Sequence, residues 1–381
     1  IEAKVMVRMF TKLILSKFQI LTWDIFPSSD GDYALLTLRK KDLIGVKKTL
    51  ITIESEHPLG RLVDLDLYVD ASYAISRVSL SLDPRTCYLC QDDARVCSKL
   101  KRHSYEELIL YMKTRFYTYL HQMIETVIDE AMMMELNLED KFGLVTPTSS
   151  GSHPDMNYAL MIKAKHAITP FFIQMFDLGF HGDDLDQIFQ KSRIIGMIAE
   201  EKMLAETEGV NCYKGLIFIL GLIMISTGYA LQKSDHLSSV FDHIKHVTRH
   251  ITTDFEMTRQ TFGEQAYKKY KIQGARGEAM AGLPSVQYGF NYLIKHGLSA
   301  LHLRSLLKDI TLMIEDTVLL KRSQSIEFYH QVKSQLKKLD VQDALQLQKF
   351  NDFCITNRLS FGGAADLLIA SIFLYQLNKI L

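Results

Sequence analysis

Hydrophobic positions along this 381-residue chain follow two regimes that change near Ser104. Before it, short runs alternate or are rich in β-formers: DYALLTL (32–38), TLITIES (49–55), LVDLDLYV (62–69) and ISRVSLSL (75–82). Turn-forming SSDGD and DAS pieces separate some of them, so strands are expected there, behind a helix near 3–21. After it the spacing becomes helical. Ser104 is a good N-cap with Glu106 and Glu107 in the first turn, and an apolar-periodic run follows to Met134. Amphipathic stretches recur at 155–180, 184–206, 235–254, 287–309, 326–338, 341–355 and 364–381. The expected fold is an α+β N-terminal module (1–103) with a small mostly antiparallel sheet, followed by a large all-α domain (104–381).

One stretch, LIFILGLIMISTGYAL (216–231), tests that reading, because it is nearly uncharged. Its length falls short of the roughly 20 apolar residues a spanning helix needs, so a buried core helix is expected rather than a membrane segment. Lys+Arg and Asp+Glu are equal at 44 each, so no global field steers the chain to nucleic acid or an anionic membrane. Partners must be recognised by local sites. The five cysteines do not form a secreted disulfide pattern, which points to a reducing, cytoplasmic setting. The chain opens on Ile1, so its native start is expected upstream, and no signal-peptide pattern follows Lys4 and Arg8.

Candidate chemistry in the front part lies in two places. Asp64 and Asp66, two apart on an expected strand, would project from one face roughly 7 Å apart, a spacing at which two carboxylates share Mg²⁺. Gly60 would let backbone approach phosphate and Arg61 offers a fork for its oxygens. A solvated strand face with alternating acids has the same pattern. Cys87, Cys90, Cys97 and His103 follow the spacing C-x₂-C-x₆-C-x₅-H, which supplies the four ligands of a tetrahedral structural Zn²⁺ site, although reduced, partly buried thiols also fit.

The segment from Thr52 to His103 resembles the apo-citrate lyase phosphoribosyl-dephospho-CoA transferase family. It carries HPLGRL-x-D-x-D, Ser76-Arg77 and the R-x-C-x-x-C…C…H run. The resemblance implies transfer of a phosphoribosyl-dephospho-CoA unit onto the acyl-carrier subunit of citrate lyase, by a module that is shortened because the family's PGP-containing stretch has no counterpart here.

Residues 104–381 resemble triphosphoribosyl-dephospho-CoA synthase. The motifs are Gly151-Ser152-His153-Pro154-Asp155-Met156, Gly209-Val210-Asn211 with Lys214-Gly215, Gly274-Ala275-Arg276-Gly277-Glu278-Ala279, Asp316-Thr317, and Gly362-Gly363-Ala364-Ala365-Asp366. That family joins ATP to 3′-dephospho-CoA and releases adenine. Displacement at the ribose carbon passes through an oxocarbenium-like state, so carboxylates near the sugar and a base for the attacking hydroxyl are expected. Of the carboxylates in or beside these loops (Asp155, Glu200, Glu278, Asp316, Asp366), Asp155 and Asp316 are assigned to Mg²⁺ and Glu278 to the base. Lys141, Lys214 and Arg276 suit phosphates, with His153, Asn211, Gly362 and Gly363 completing the nucleotide site. Each acid beside a helix start would equally serve as an N-cap. Phe142 and Phe361 stand where the family has proline, Cys212-Tyr213 where Thr-His is usual, and Val318 where asparagine follows Asp-Thr. Two alternatives stay open: a synthase whose front module only binds carrier or product, and a nonenzymatic nucleotide-binding protein. His243, His246 and His250 line one side of a helix and are expected to be a solvated polar face.

Overall fold

The computed structural model describes residues 1–381 except 29–30, 40–41, 71, 91 and 252–268. The chain divides into two compact units, 1–124 with 380–381, and 125–379. The expected turns at 28–32 and 70–72, and the end of the 235–254 stretch, include residues outside the described set.

In the first unit, α1 (Glu2–Lys17) precedes an antiparallel hairpin of β1 (Ile20–Phe26) and β2 (Tyr33–Leu38), with Trp23 opposite Leu36. Its core gathers Ile14, Val46, Leu50, Leu67 and Ile75, with Leu36 and Leu38 packed against it. Three expected strands are corrected. TLITIES belongs to α2 (Leu43–Glu56), because Asp42 accepts the Gly45 N–H and Val46, Leu50 and Ile53 then recur on one buried helical face. The β-forming preference of Thr and Ile yields to the cap and the core. LVDLDLYV and ISRVSLSL keep only β3 (Leu67–Tyr68) and β4 (Ala74–Ile75), which pair antiparallel, because Gly60–Leu62 and Val78–Leu80 form 3-10 turns. Two small antiparallel sheets result. A short α3 (Ala94–Lys99) and the start of α4 (Tyr105–Leu136) follow.

The regular elements among the described residues of the second unit are all helices. α5 (Tyr158–His181) packs on α6 (Leu185–Glu206) and α7 (Lys214–Lys233). A side chain at Gly179 would collide with the Ile225 backbone and one at Gly228 with that of Phe176, so these glycines set the close approach of α5 and α7. α7 is long and apolar enough to cross a membrane, but 78% of its most apolar window is buried, and the apolar surface is consumed by packing. α8 (Val240–Thr248), α9 (Gly274–Met280), α10 (Pro284–His296), α11 (Ala300–Met313), α12 (Thr317–Ser323), α13 (Ile326–Lys338) and α14 (Ala344–Thr356) lead to a buried last helix, α15 (Gly362–Ile380). On α8, His243 and His246 each have a carboxylate neighbour the sequence did not reveal, Asp235 at 3.5 Å and Asp186 at 3.6 Å.

Candidate active site

A cleft of about 640 Å³ in the second unit is lined from four of the five motif segments. Its walls include His153, Asp155, Lys214, Thr317, Gly362 and Asp366. The first loop is shaped by Gly143 and Gly151, both at positive φ; Ser152 N–H donates to the Gly143 carbonyl at 2.7 Å, and a side chain at Gly151 would overlap that carbonyl. This turn buries His153, whose Nε2 lies 3.1 Å from the Ser360 hydroxyl and Nδ1 3.3 Å from the Arg322 guanidinium. Burial and then the Arg322 charge hold its pKa down to about 4, so the ring is neutral at pH 7. Asp155 stands exposed at the cleft wall.

The carboxylates divide by what they already bind. Asp316 caps α12, its Oδ1 accepting from Val318 N–H at 2.7 Å and Leu319 N–H at 3.1 Å, while Oδ2 accepts from Ala364 N–H at 3.4 Å. Gly363 leaves the room for that contact, since a Cβ there would lie 3.0 Å from Oδ1. Asp316 is thus a buried tie between the starts of α12 and α15. Glu278 lies outside the cleft and accepts from the hydroxyl (2.7 Å) and N–H (3.3 Å) of Ser285. Burial raises the pKa of both acids, against the hydrogen bonds they accept.

Asp366 differs. It lines the cleft, no donor lies within hydrogen-bond distance among the described residues, and Gly215 gives it space that any side chain would take. Burial, then the neighbouring Glu135 and Asp316 carboxylates, push its pKa well above the usual carboxylate range. Nothing in the sequence separated it from the acids of the other motifs.

Two expected phosphate ligands are neutralised in place. Lys141 is buried with its Nζ 2.6 Å from the Glu135 carbonyl and 2.7 Å from that residue's Oε1. Lys214 Nζ lies 2.5 Å from Glu200 Oε1, and Asn211 Oδ1 accepts the Lys214 N–H at 3.0 Å. Arg276, on α9, does not line the cleft, although Gly274 of the same motif abuts the Thr317 side chain. The two proline replacements meet: the Phe142 and Phe361 rings are edge-on at 6.0 Å, with Phe350 against Phe142 at 5.6 Å, so their bulk fills one aromatic cluster behind the loops. Val318 lines the cleft, as do Cys212 and Tyr213; burial pushes the Cys212 thiol up to about 11.

In the first unit, the ligand atoms of Cys87, Cys90, Cys97 and His103 lie within 4.8 Å of one another, so the cluster can hold a metal ion. A turn closed by Cys87 N–H to Asp92 O (2.7 Å) and Ala94 N–H to Arg85 O (2.9 Å) brings the first two thiols to Cys97 on α3. The Cys97 sulfur is 3.3 Å from that of Cys87 and 4.0 Å from that of Cys90, and His103 Nε2 is buried without a partner. The Leu89 N–H is the chief influence lowering the Cys87 thiol to about 6. Asp64 and Asp66 precede β3 instead of sharing it, and each faces its own cation: Arg85 at 2.9 Å and Lys47 at 3.8 Å. Gly60 packs against the end of α2, where a side chain would overlap the Ile53 and Glu54 carbonyls. Arg61 donates to the Thr86 carbonyl and lies 5.5 Å over the Tyr88 ring, lining a cavity of about 790 Å³ beside the Cys/His cluster.

Residues 121–381 match the ATP:dephospho-CoA triphosphoribosyl transferase family, and residues 2–119 match the apo-citrate lyase phosphoribosyl-dephospho-CoA transferase family. The second match includes the helix and hairpin ahead of Thr52, where no motif was legible. Among curated proteins, the chain is 34% identical to Protein CitXG of Leuconostoc mesenteroides subsp. cremoris, covering 87% of this chain and 78% of that one. It is 30% identical to Protein CitXG of Haemophilus influenzae, covering 86% of this chain and 76% of that one. With 2-(5''-triphosphoribosyl)-3'-dephosphocoenzyme-A synthase of Haemophilus ducreyi it shares 29% identity, over 76% of this chain and 99% of the relative. No solved structure matches. The chain therefore belongs to the ATP:dephospho-CoA triphosphoribosyl transferase family, carried behind an apo-citrate lyase phosphoribosyl-dephospho-CoA transferase module.

Proposed function

We propose that the cleft of the second unit transfers the triphosphoribosyl group of ATP to 3′-dephospho-CoA, releasing adenine and making the precursor of the citrate lyase prosthetic group. The observation that carries this is the meeting of four motif segments around a half-buried carboxylate that has no donor among the described residues, Asp366. Asp366 takes the proton from the attacking ribose hydroxyl as the new bond to the ribose carbon of ATP forms; the bond to adenine breaks, and adenine leaves with the electron pair and is protonated from solvent. Ionised, the same carboxylate stabilises positive charge on the sugar. A raised pKa suits a general base, since proton transfer is most efficient when that pKa approaches the working pH. Asp155, exposed at the wall, is the acid that can join triphosphate oxygens in holding Mg²⁺, an ion that takes one or two protein carboxylates and keeps phosphate and water for the rest. Glu278 and Asp316 serve this reaction by fixing the starts of α10 and α12.

The front module would attach the product to the acyl-carrier subunit of citrate lyase, with Arg61 binding phosphate in its cavity. Its Cys87, Cys90, Cys97 and His103 cluster would hold structural Zn²⁺: a Cys97 sulfur 3.3 Å from that of Cys87 and 4.0 Å from that of Cys90, with an orphaned imidazole nitrogen, matches a tetrahedral thiolate-imidazole set. Reduced thiols of this kind persist in the cytoplasm, where we place the enzyme. Incubation with ATP, Mg²⁺ and dephospho-CoA, followed by mass spectrometry, should show free adenine and a triphosphoribosyl adduct of dephospho-CoA in equal amounts. Intact ATP after prolonged incubation would exclude the reading.

A further inference from the structure

We infer that a substrate's polyphosphate chain lies in a basic pocket at one end of the cleft, held by Arg322 and Arg358. This rests on the synthase reading and gives the cleft a direction. The pocket, of about 490 Å³, is lined by Lys321, Arg322, Gln324, Thr356, Asn357 and Arg358, and shares Lys321 and Arg322 with the cleft. Two substrates, each with a polyphosphate, must be bound together, whereas 640 Å³ is in the range that typically serves one ligand of about 300–1,000 Å³. The second cavity supplies the missing room.

Charge decides which part of the ligands goes there. Lys141 and Lys214, the cations of the cleft motifs, are committed to Glu135 and Glu200. Arg322 contacts the neutral His153, and Arg358 has no carboxylate partner among the described residues. Net positive charge therefore collects in the pocket, while the carboxylates of Asp366 and Asp155 line the cleft. Phosphates belong at the first end and the ribose carbon that becomes cationic at the second.

Helix ends offer a plainer account, because Arg322 lies in the last turn of α12 and Arg358 just beyond α14, where carbonyl groups favour cations. That account leaves two features unexplained. Arg358 takes a left-handed backbone (φ +52), the position after a helix where glycine or asparagine is ordinary and an arginine side chain is strained. The turn it makes, closed by Leu359 N–H to Cys354 O at 2.9 Å, delivers Ser360 to His153, which in turn meets Arg322. Both arginines are thus fixed to the loop that forms the cleft wall.

The chain could be the triphosphate of ATP or the diphosphate of dephospho-CoA. Arg358→Asn removes the charge and suits the left-handed backbone, so the fold is spared. In steady-state adenine release by the full chain, it should raise the KM for one substrate by about 10-fold, with kcat within about threefold of the parent. A rise for ATP assigns the triphosphate and a rise for dephospho-CoA the diphosphate. Inorganic tripolyphosphate, titrated calorimetrically in the absence of substrates, should bind the parent and bind the variant about 10-fold more weakly. Arg358→Lys should recover part of both losses. Unchanged KM values together with unchanged tripolyphosphate binding overturn the inference. If the parent releases no adenine but Arg358→Asn still weakens tripolyphosphate, the synthase reading falls and the phosphate pocket stands.

Discussion

Both units answer buried charges with partners, as Lys141 and Glu135 do in the second, but the second also leaves a carboxylate at its cleft without a donor among the described residues. In the first, Glu54 is 3% exposed and answered by Arg85 at 2.5 Å, Arg77 at 3.9 Å and the Leu65 N–H at 2.8 Å. Lys47, also 3% exposed, donates to the Leu65 carbonyl at 2.9 Å and lies 3.8 Å from Asp66. Here ionic groups tie together a small core, and a metal cluster would close the same region. In the second, long helices such as α7 and α15 supply an extensive apolar interior, and Asp366 stands half-buried at its cleft with no donor among the described residues. A small core uses its charges for cohesion, whereas a large one can hold a charge in an unfavourable state for chemistry. Substitutions should separate these roles.

The largest effect belongs to Asp366→Asn. Loss of a general base lowers kcat by about 10²–10⁴-fold, roughly 3–5.5 kcal/mol of transition-state stabilisation, measurable as adenine release. Zinc content, which the proposed site would place in the first unit, should not change. In the parent, kcat/KM should fall as pH drops through a value well above the ordinary carboxylate range, since only the ionised acid accepts a proton. The stability effect has the opposite sign. With its folded pKa above the unfolded one, Asp366 binds more protons in the folded state between the two values, so its contribution is full below the unfolded pKa and is lost as pH rises. Removing it should flatten that decline, read as Tm against pH. A parent-like turnover in folded Asp366→Asn would remove the base assignment.

Next comes the metal cluster. Cys97→Ser should leave well under one zinc per chain by elemental analysis. It should speed hydrogen exchange across 86–103 by about 10²-fold, a loss near 3 kcal/mol in local opening. Adenine release should stay within about twofold, because this part of the chain does not line the second unit's cleft. Zinc absent from the parent itself would exclude the Zn²⁺ assignment. Parent-like exchange in the variant would show that the cluster does not hold the segment.

A smaller stability effect is expected for Asp316→Ala. The change strips three N–H donors of their acceptor, Val318, Leu319 and Ala364, while relieving the burial of a carboxylate. A lost cap costs about 0.5–2 kcal/mol and an unsatisfied buried donor about 1–3, so a net loss near 2 kcal/mol by chemical denaturation is expected. Parent-like stability with lost turnover would instead make Asp316 a ligand.

Much of this was legible in the chain, and what was not has a common cause. The Cys/His cluster could be read because its ligands lie within 17 consecutive residues, where spacing nearly fixes geometry. The cleft motifs could be read because glycine and polar residues interrupt helical periodicity. TLITIES could not, since its β-forming residues are overruled by a cap at Asp42 and a core on one helical face. Nor could sequence tell which acid is consumed in capping and which is left facing the cleft. Asp316 and Asp366 both sit at helix starts; only packing against Gly363 or Gly215 separates them. The basic pocket was invisible for the same reason, being made from the ends of α12 and α14.

The smallest effect is the sharpest check on that separation. Glu278 is the acid that motif position alone assigns as base, yet its carboxylate is half of a local bond set with Ser285, at 2.7 Å to the hydroxyl and 3.3 Å to the N–H. Gln in its place keeps an acceptor oxygen of the same reach and removes the ionisable proton site. The start of α10 should therefore survive, with a stability change within about 0.5 kcal/mol, because burial that disfavours the charged form no longer applies to a neutral amide. Turnover should stay within about threefold of the parent, and the pH dependence of kcat/KM should be unchanged, since it follows Asp366. A loss of 10²-fold in folded Glu278→Gln, with the acid limb of the profile abolished, would move the base from the cleft carboxylate to α9 and require the substrate to reach Ser285. Parent-like rates in Glu278→Gln beside a collapse in Asp366→Asn leave a single reading, in which one acid braces the helix and the other takes the proton.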